Sequence, residues 1–274
     1  MGSYELDRSD CGGSSVRVEA RFSEFPDQGE GKVSDQLADY RWLIGPEGTA
    51  RLAETPGEVL STTTARRLFE REEPERARLV VEQLHLRERA RSKFAAAGRM
   101  FFTPLGLEQA SGDLPARYKA GRFPAGEEVA DLACGIGGDL LALAARGPVY
   151  GIERDPVTAL LAAAGAQALE ADVEIYCTDL RHLNPKEAAA WVHIDPDRRP
   201  SGRRTSNVDF CEPSLEVLAE WIHAARGAAI KLAPGAWLPG DWNRETAREW
   251  RGHDRRCRQP GGGPAPRIPW RSLP

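Results

Sequence analysis

The run Val129-Ala130-Asp131-Leu132-Ala133-Cys134-Gly135-Ile136-Gly137-Gly138-Asp139 carries the strongest chemical signal in the chain. An apolar stretch enters a glycine-rich turn, and Leu140-Leu141-Ala142-Leu143 then starts a helical pattern. Glycines let a backbone approach a ligand closely, and a helix N-terminus offers unpaired amides. A dinucleotide fingerprint wants glycine at its first, third and sixth positions. Here those positions hold Gly135, Gly137 and Leu140, and Asp139 would repel a pyrophosphate. The turn therefore argues against a nicotinamide dehydrogenase. It suits a ligand with a cationic or zwitterionic end.

Acids recur at the ends of the apolar runs that follow. Val149-Tyr150-Gly151-Ile152 ends in Glu153, where a carboxylate can take both ribose hydroxyls of an adenosine. Glu174-Ile175-Tyr176 leads to Asp179, placed to accept from an exocyclic adenine amine. Trp191-Val192-His193-Ile194 ends in Asp195-Pro196. Arg198, Arg199, Arg203 and Arg204 follow at once, a candidate grip for phosphate. Plainer roles compete: Asp155 before Pro156 is a good helix cap, Asp195-Pro196 suits a turn, and the arginines suit a solvated loop.

These residues need a scaffold that gathers strand ends on one edge. Strands are expected at 127–132, 148–152, 173–177, 190–194 and 227–232. Helices are expected at 137–146, 156–169, 213–226 and 242–251. Strand–helix alternation of this kind predicts an α/β fold, a Rossmann-like, doubly wound, mainly parallel sheet. Ligands of such sheets bind at the carboxyl edge. Residues 123–251 form this core. Residues 34–122 read as a helical N-terminal domain, with Ser34 as a cap, Gly45-Pro46 as a stop and a long helix from Pro74. Residues 1–33 read as disordered or loosely attached, with the short alternating run Val16-Arg17-Val18 as a possible strand, and 252–274 as an irregular Gly/Pro/Arg-rich tail. The strand pattern stops after five, so C-terminal strands look to be missing.

The 274 residues carry a net charge of −4, so contact with nucleic acid must come from a local patch. No apolar run approaches the ~18 residues of a membrane helix, and residues 1–30 lack the apolar core of a signal peptide. Five scattered cysteines form no CxxC pair, so reduced thiols, no metal and a cytoplasmic location are expected.

The ordered set Asp131 to Gly138, Glu153, Asp179 and Asp195-Pro196 resembles the class I S-adenosylmethionine-dependent methyltransferases, over about residues 100 to 235. The resemblance implies S-adenosylmethionine as cofactor. It would be held by Asp131, Cys134, Gly135, Gly137, Gly138, Glu153, Arg154, Asp179 and Leu180, with Asp195 and Pro196 at the point of transfer. Phe101-Phe102-Thr103-Pro104-Leu105-Gly106-Leu107-Glu108 extends the likeness upstream. It resembles the trimethylguanosine synthase type of RNA cap methyltransferase, and more closely the bacterial THUMP-like methyltransferases. That likeness implies that Phe102 and Thr103 fold over the methionine end of the cofactor and that RNA is the substrate. The chain departs from the usual Pro-Pro-aromatic motif, with Asp197-Arg198 after Asp195-Pro196. A small-molecule or protein acceptor, or a non-catalytic binding module, would share every cofactor motif.

Overall fold

The computed structural model describes residues 2–5, 18–22, 30–54, 62–187, 189–196 and 212–231. The expected helix at 242–251 and the tail lie outside the described residues. The five expected strands form at Val129–Leu132 (β3), Val149–Glu153 (β4), Val173–Cys177 (β5), Trp191–Ile194 (β6) and Gly227–Ile230 (β7). They are mutually parallel in the order β5-β4-β3-β6-β7. The chain crosses from one half of the sheet to the other after β5 and re-enters at β6, so neighbouring strands β3 and β6 flank the switch point where open α/β sheets bind ligands. All four β3 residues are buried, as a central strand covered on both faces requires.

Two further strands lie in the segment expected to be disordered or loosely attached. Val18–Phe22 (β2) pairs parallel with β5, and Gly2–Glu5 (β1) pairs antiparallel with β2. They extend the sheet to seven strands. The alternating run Val16-Arg17-Val18 already suggests a strand, and the observed one begins at its last residue, with Val18, Ala20 and Phe22 alternating with charged residues. The open edge of β5 supplies the backbone partners that the segment lacks alone.

The helical region comprises Glu30–Ile44 (α1), Pro46–Ala53 (α2), Thr62–Arg71 (α3), Pro74–Ala90 (α4), Pro104–Gln109 (α5) and Asp113–Ala120 (α6). Helix α1 begins before Ser34, so that residue is not its cap. Within the core, Gly138–Ala144 (α7), Pro156–Ala168 (α8) and Leu215–Ala224 (α9) cover the sheet. Pro74, Pro104 and Pro156 each occupy a first helical turn, where a missing N–H costs nothing. Among the described residues, the helical region shares its buried clusters with the sheet side of the molecule. Tyr40, Leu43, Val80 and Phe101 pack in one cluster with Val157, Leu160, Leu161 and Ala164 of α8. That explains why nine of the thirteen α8 residues are buried: one side meets the sheet and the other meets the helices. No described helix is long and apolar enough to cross a membrane.

Candidate functional site

A cleft of about 720 Å³ opens at the carboxyl edge of the sheet. Of the residues singled out from sequence, Thr103, Asp131, Cys134, Gly135, Gly138, Glu153, Arg154, Asp179, Leu180, Asp195 and Pro196 line it. Gly137 and Phe102 do not. Gly137, at φ +82°, turns the chain into α7, a left-handed conformation that disfavours side chains. Phe102 is 1% exposed and packs with Phe94, Met100 and Ile136, its N–H donating to Gln83 Oε1. The local sequence shows an aromatic beside a cap; packing behind α5 turns the ring inward. Arg198, Arg199, Arg203 and Arg204 lie outside the described residues.

The Glu153 end of the cleft is organised by backbone. Gly135, at φ +57°, donates its N–H to Glu153 Oε2 at 2.9 Å, and Asp155 N–H donates to Oε1 at 2.9 Å. A Cβ on Gly135 would meet no heavy atom within 4 Å, so the turn presents bare backbone to open cleft. Burial raises the Glu153 carboxyl above its usual range, although both amide bonds act to lower it. Each oxygen keeps acceptor capacity for a ligand hydroxyl. Asp155 caps α8 by accepting from Thr158 N–H at 2.7 Å, so the neighbouring acids divide between ligand edge and cap. Thr103 likewise caps α5, accepting from Gly106 N–H at 2.9 Å, while lining the cleft. Asp179 spends its carboxylate on Arg181, at 3.0 Å to Nε and 2.6 Å to an Nη, which holds its pKa down to about 2. An adenine amine there would share Asp179 with that guanidinium. Cys134 borders the cleft but is 7% exposed and packs in the core.

The Asp195 end is organised by side chains that sequence reasoning missed. Asp195 Oδ2 accepts from Lys231 Nζ at 2.5 Å and from Ser111 Oγ at 3.4 Å, with Lys119 Nζ at 3.7 Å. Lys119 donates to Asp139 Oδ2 at 2.5 Å and to Ser111 Oγ at 2.9 Å. Beneath them Asp131 Oδ1 meets His193 Nδ1 at 2.7 Å, because the two residues are register partners on β3 and β6. Burial pulls the His193 pKa down, but the Asp131 and Asp139 charges outweigh it and leave it raised. Burial pushes the Asp139 carboxyl up, but His193 and Lys119 outweigh it and hold it below its usual range. The Lys119 signal was faint: Ala116, Lys119 and Ala120 share the buried face of α6 at helical spacing. His193 belongs to no spacing pattern.

The site fits a zwitterionic nucleoside ligand on structural grounds. The cleft has room, bare backbone at Gly135 and an acid at Glu153. Asp131 Oδ2 and Asp139 Oδ1 are buried without hydrogen-bond partners among the described residues, acceptor capacity that suits an ammonium. No group of three or more His, Cys, Asp or Glu side chains among the described residues could hold a metal ion.

No family model matches the chain. An uncharacterized S-adenosylmethionine-dependent methyltransferase of Mycobacterium tuberculosis, in strains CDC 1551 and H37Rv, is 34% identical over 170 residues. The match covers 59% of this chain and 46% of the relative, so the chain spans about half the length of the curated relatives it matches. The crystal structure of a candidate methyltransferase from Porphyromonas gingivalis W83 is 24% identical, with a TM-score of 0.55. It covers 73% of this chain and 49% of that one. This chain therefore shares the Rossmann-like α/β fold of that protein, with its candidate site at the switch point of the sheet.

Proposed function

We propose that this chain is a class I S-adenosylmethionine-dependent methyltransferase acting on RNA, related to the THUMP-like group. The observation that carries the cofactor reading is the Gly135–Glu153 hydrogen bond at the edge of a large switch-point cleft. It gives one ligand both a bare backbone turn and a ribose acid. The Mycobacterium tuberculosis relatives support the same reading. The RNA reading rests on Arg198, Arg199, Arg203 and Arg204, which follow the Asp195-Pro196 motif in sequence.

When bound, the cofactor supplies a methyl activated by its sulfonium, so the protein's work is alignment. Glu153 would accept from the ribose hydroxyls, while Thr103 and the turn from Asp131 to Gly138 would hold the methionine portion. Asp195 would orient the acceptor. Its Oδ2 is already engaged by Lys231, Ser111 and Lys119, which fixes its position.

Calorimetry should show S-adenosylhomocysteine binding in the low-to-middle micromolar range, about 7–8 kcal/mol. Tighter binding of NAD would overturn the cofactor reading. Tritiated methyl transfer should label total RNA. Label in the protein or metabolite fraction instead would reassign the acceptor, and binding without transfer to any fraction would identify a binding module.

A further inference from the structure

The cleft floor is a cluster of opposed charges assembled from both regions of the chain: Asp131, Asp139, Asp195 and Lys231 line the cleft, and Lys119 and His193 lie behind them. Three carboxylates (Asp131, Asp139 and Asp195) meet two ammonium groups (Lys119 and Lys231) and the His193 imidazole. Lys119 is the member supplied by α6, and its side chain is 4% exposed. A buried ammonium is strongly disfavoured unless paired, and apolar residues of similar size often stabilise a fold as well. The position of Lys119 is also informative. It reaches Asp139 at the start of α7, Ser111 before α6 and Asp195 after β6. It thereby links the glycine-turn side of the cleft to the acceptor side. Before His193 is counted, the three carboxylates and two ammonium groups sum to one negative charge; without Lys119, to two.

We propose that Lys119 is a positioning residue that sets the charge of this floor, and through it how the cleft discriminates the sulfonium cofactor from its thioether product. The inference rests on the cofactor reading above. S-adenosylmethionine carries one more positive charge than S-adenosylhomocysteine, and the two otherwise differ by one methyl group. A change in floor charge therefore acts on their affinity ratio, whereas a change in packing moves both ligands together.

The test measures both affinities by calorimetry and needs no acceptor. Lys119→Met should shift the ratio about tenfold toward S-adenosylmethionine. Asp139→Asn, which keeps Lys119 with Ser111 and Asp195, should shift it about tenfold the other way. The double variant Lys119→Met/Asp139→Asn restores the floor charge and should return the ratio to within threefold of the wild type. Should Lys119→Met fail to fold, Asp139→Asn and the charge-restored double variant still decide. Ratios within twofold of wild type in the single variants that fold would overturn the inference while leaving the cofactor reading intact. A wild-type chain that binds neither ligand would overturn both.

Discussion

At the Glu153 end of the cleft, carboxylates are held by backbone amides and near neighbours. Asp155 N–H and the Arg181 side chain each lie two residues from the acid they contact. At the Asp195 end, the contacts join residues far apart in the chain. Ser111 and Asp195 are separated by 84 positions, and Ser111 and Lys231 by 120. The Asp179–Arg181 pair at the Glu153 end reaches the surface, since the Arg181 side chain is 63% exposed, whereas Lys119 is 4% exposed. The difference teaches where each end is vulnerable. Local contacts re-form whenever the strand end forms, but the buried cluster exists only when helices, turn and sheet are docked together.

The most severe break should come at the buried end. Lys119→Ala leaves the buried Asp139 carboxylate without its hydrogen-bonded ion-pair partner, and should cost about 3–5 kcal/mol in urea unfolding. A loss below ~1 kcal/mol would mean that Asp139 finds water or protonates, and the contrast between the two ends would collapse.

Asp195→Ala should lower methyl transfer by at least ~100-fold, about 2.7 kcal/mol. S-adenosylhomocysteine affinity should stay within roughly threefold if Asp195 serves the acceptor, as proposed, and not the cofactor. A variant retaining most of its transfer rate would reduce Asp195-Pro196 to a turn.

Glu153→Ala tests the other end. It removes the acceptor of Gly135 N–H together with the proposed ribose acid, and should weaken S-adenosylhomocysteine by ~1–3 kcal/mol. Unchanged affinity in calorimetry would take Glu153 out of the site.

The smallest effect belongs to Asp179. Its folded pKa of about 2 lies below the unfolded value of roughly 3.9. Its contribution to stability is therefore complete above about pH 4 and is lost as pH falls through about 2. Solvent screening of the exposed Arg181 limits that contribution to below ~1 kcal/mol. Asp179→Asn should flatten this part of the acid limb in a pH series of thermal melts. An unchanged limb would show that the pair contributes nothing.

The sequence by itself determined the parallel core, because each strand is a short apolar run with a turn or cap at its end. Val129–Leu132 and Val173–Cys177 form strands within the expected spans. It also determined which acids face the cleft edge at Glu153 and Asp179, since a strand end fixes where its next residues emerge. Tertiary structure alone decided the remainder. Residues 2–5 and 18–22 became strands because β5 offered an open edge. Phe102 turned inward because the α4–α5 corner packs around it. Lys119, a cation amid Arg117 and Tyr118 in sequence, became a buried hub because α6 docks on α7 and brings Asp139 to its ammonium. Periodicity records which face of an element is apolar. It does not record which distant carboxylate will meet a buried charge, and desolvation makes that pairing decisive.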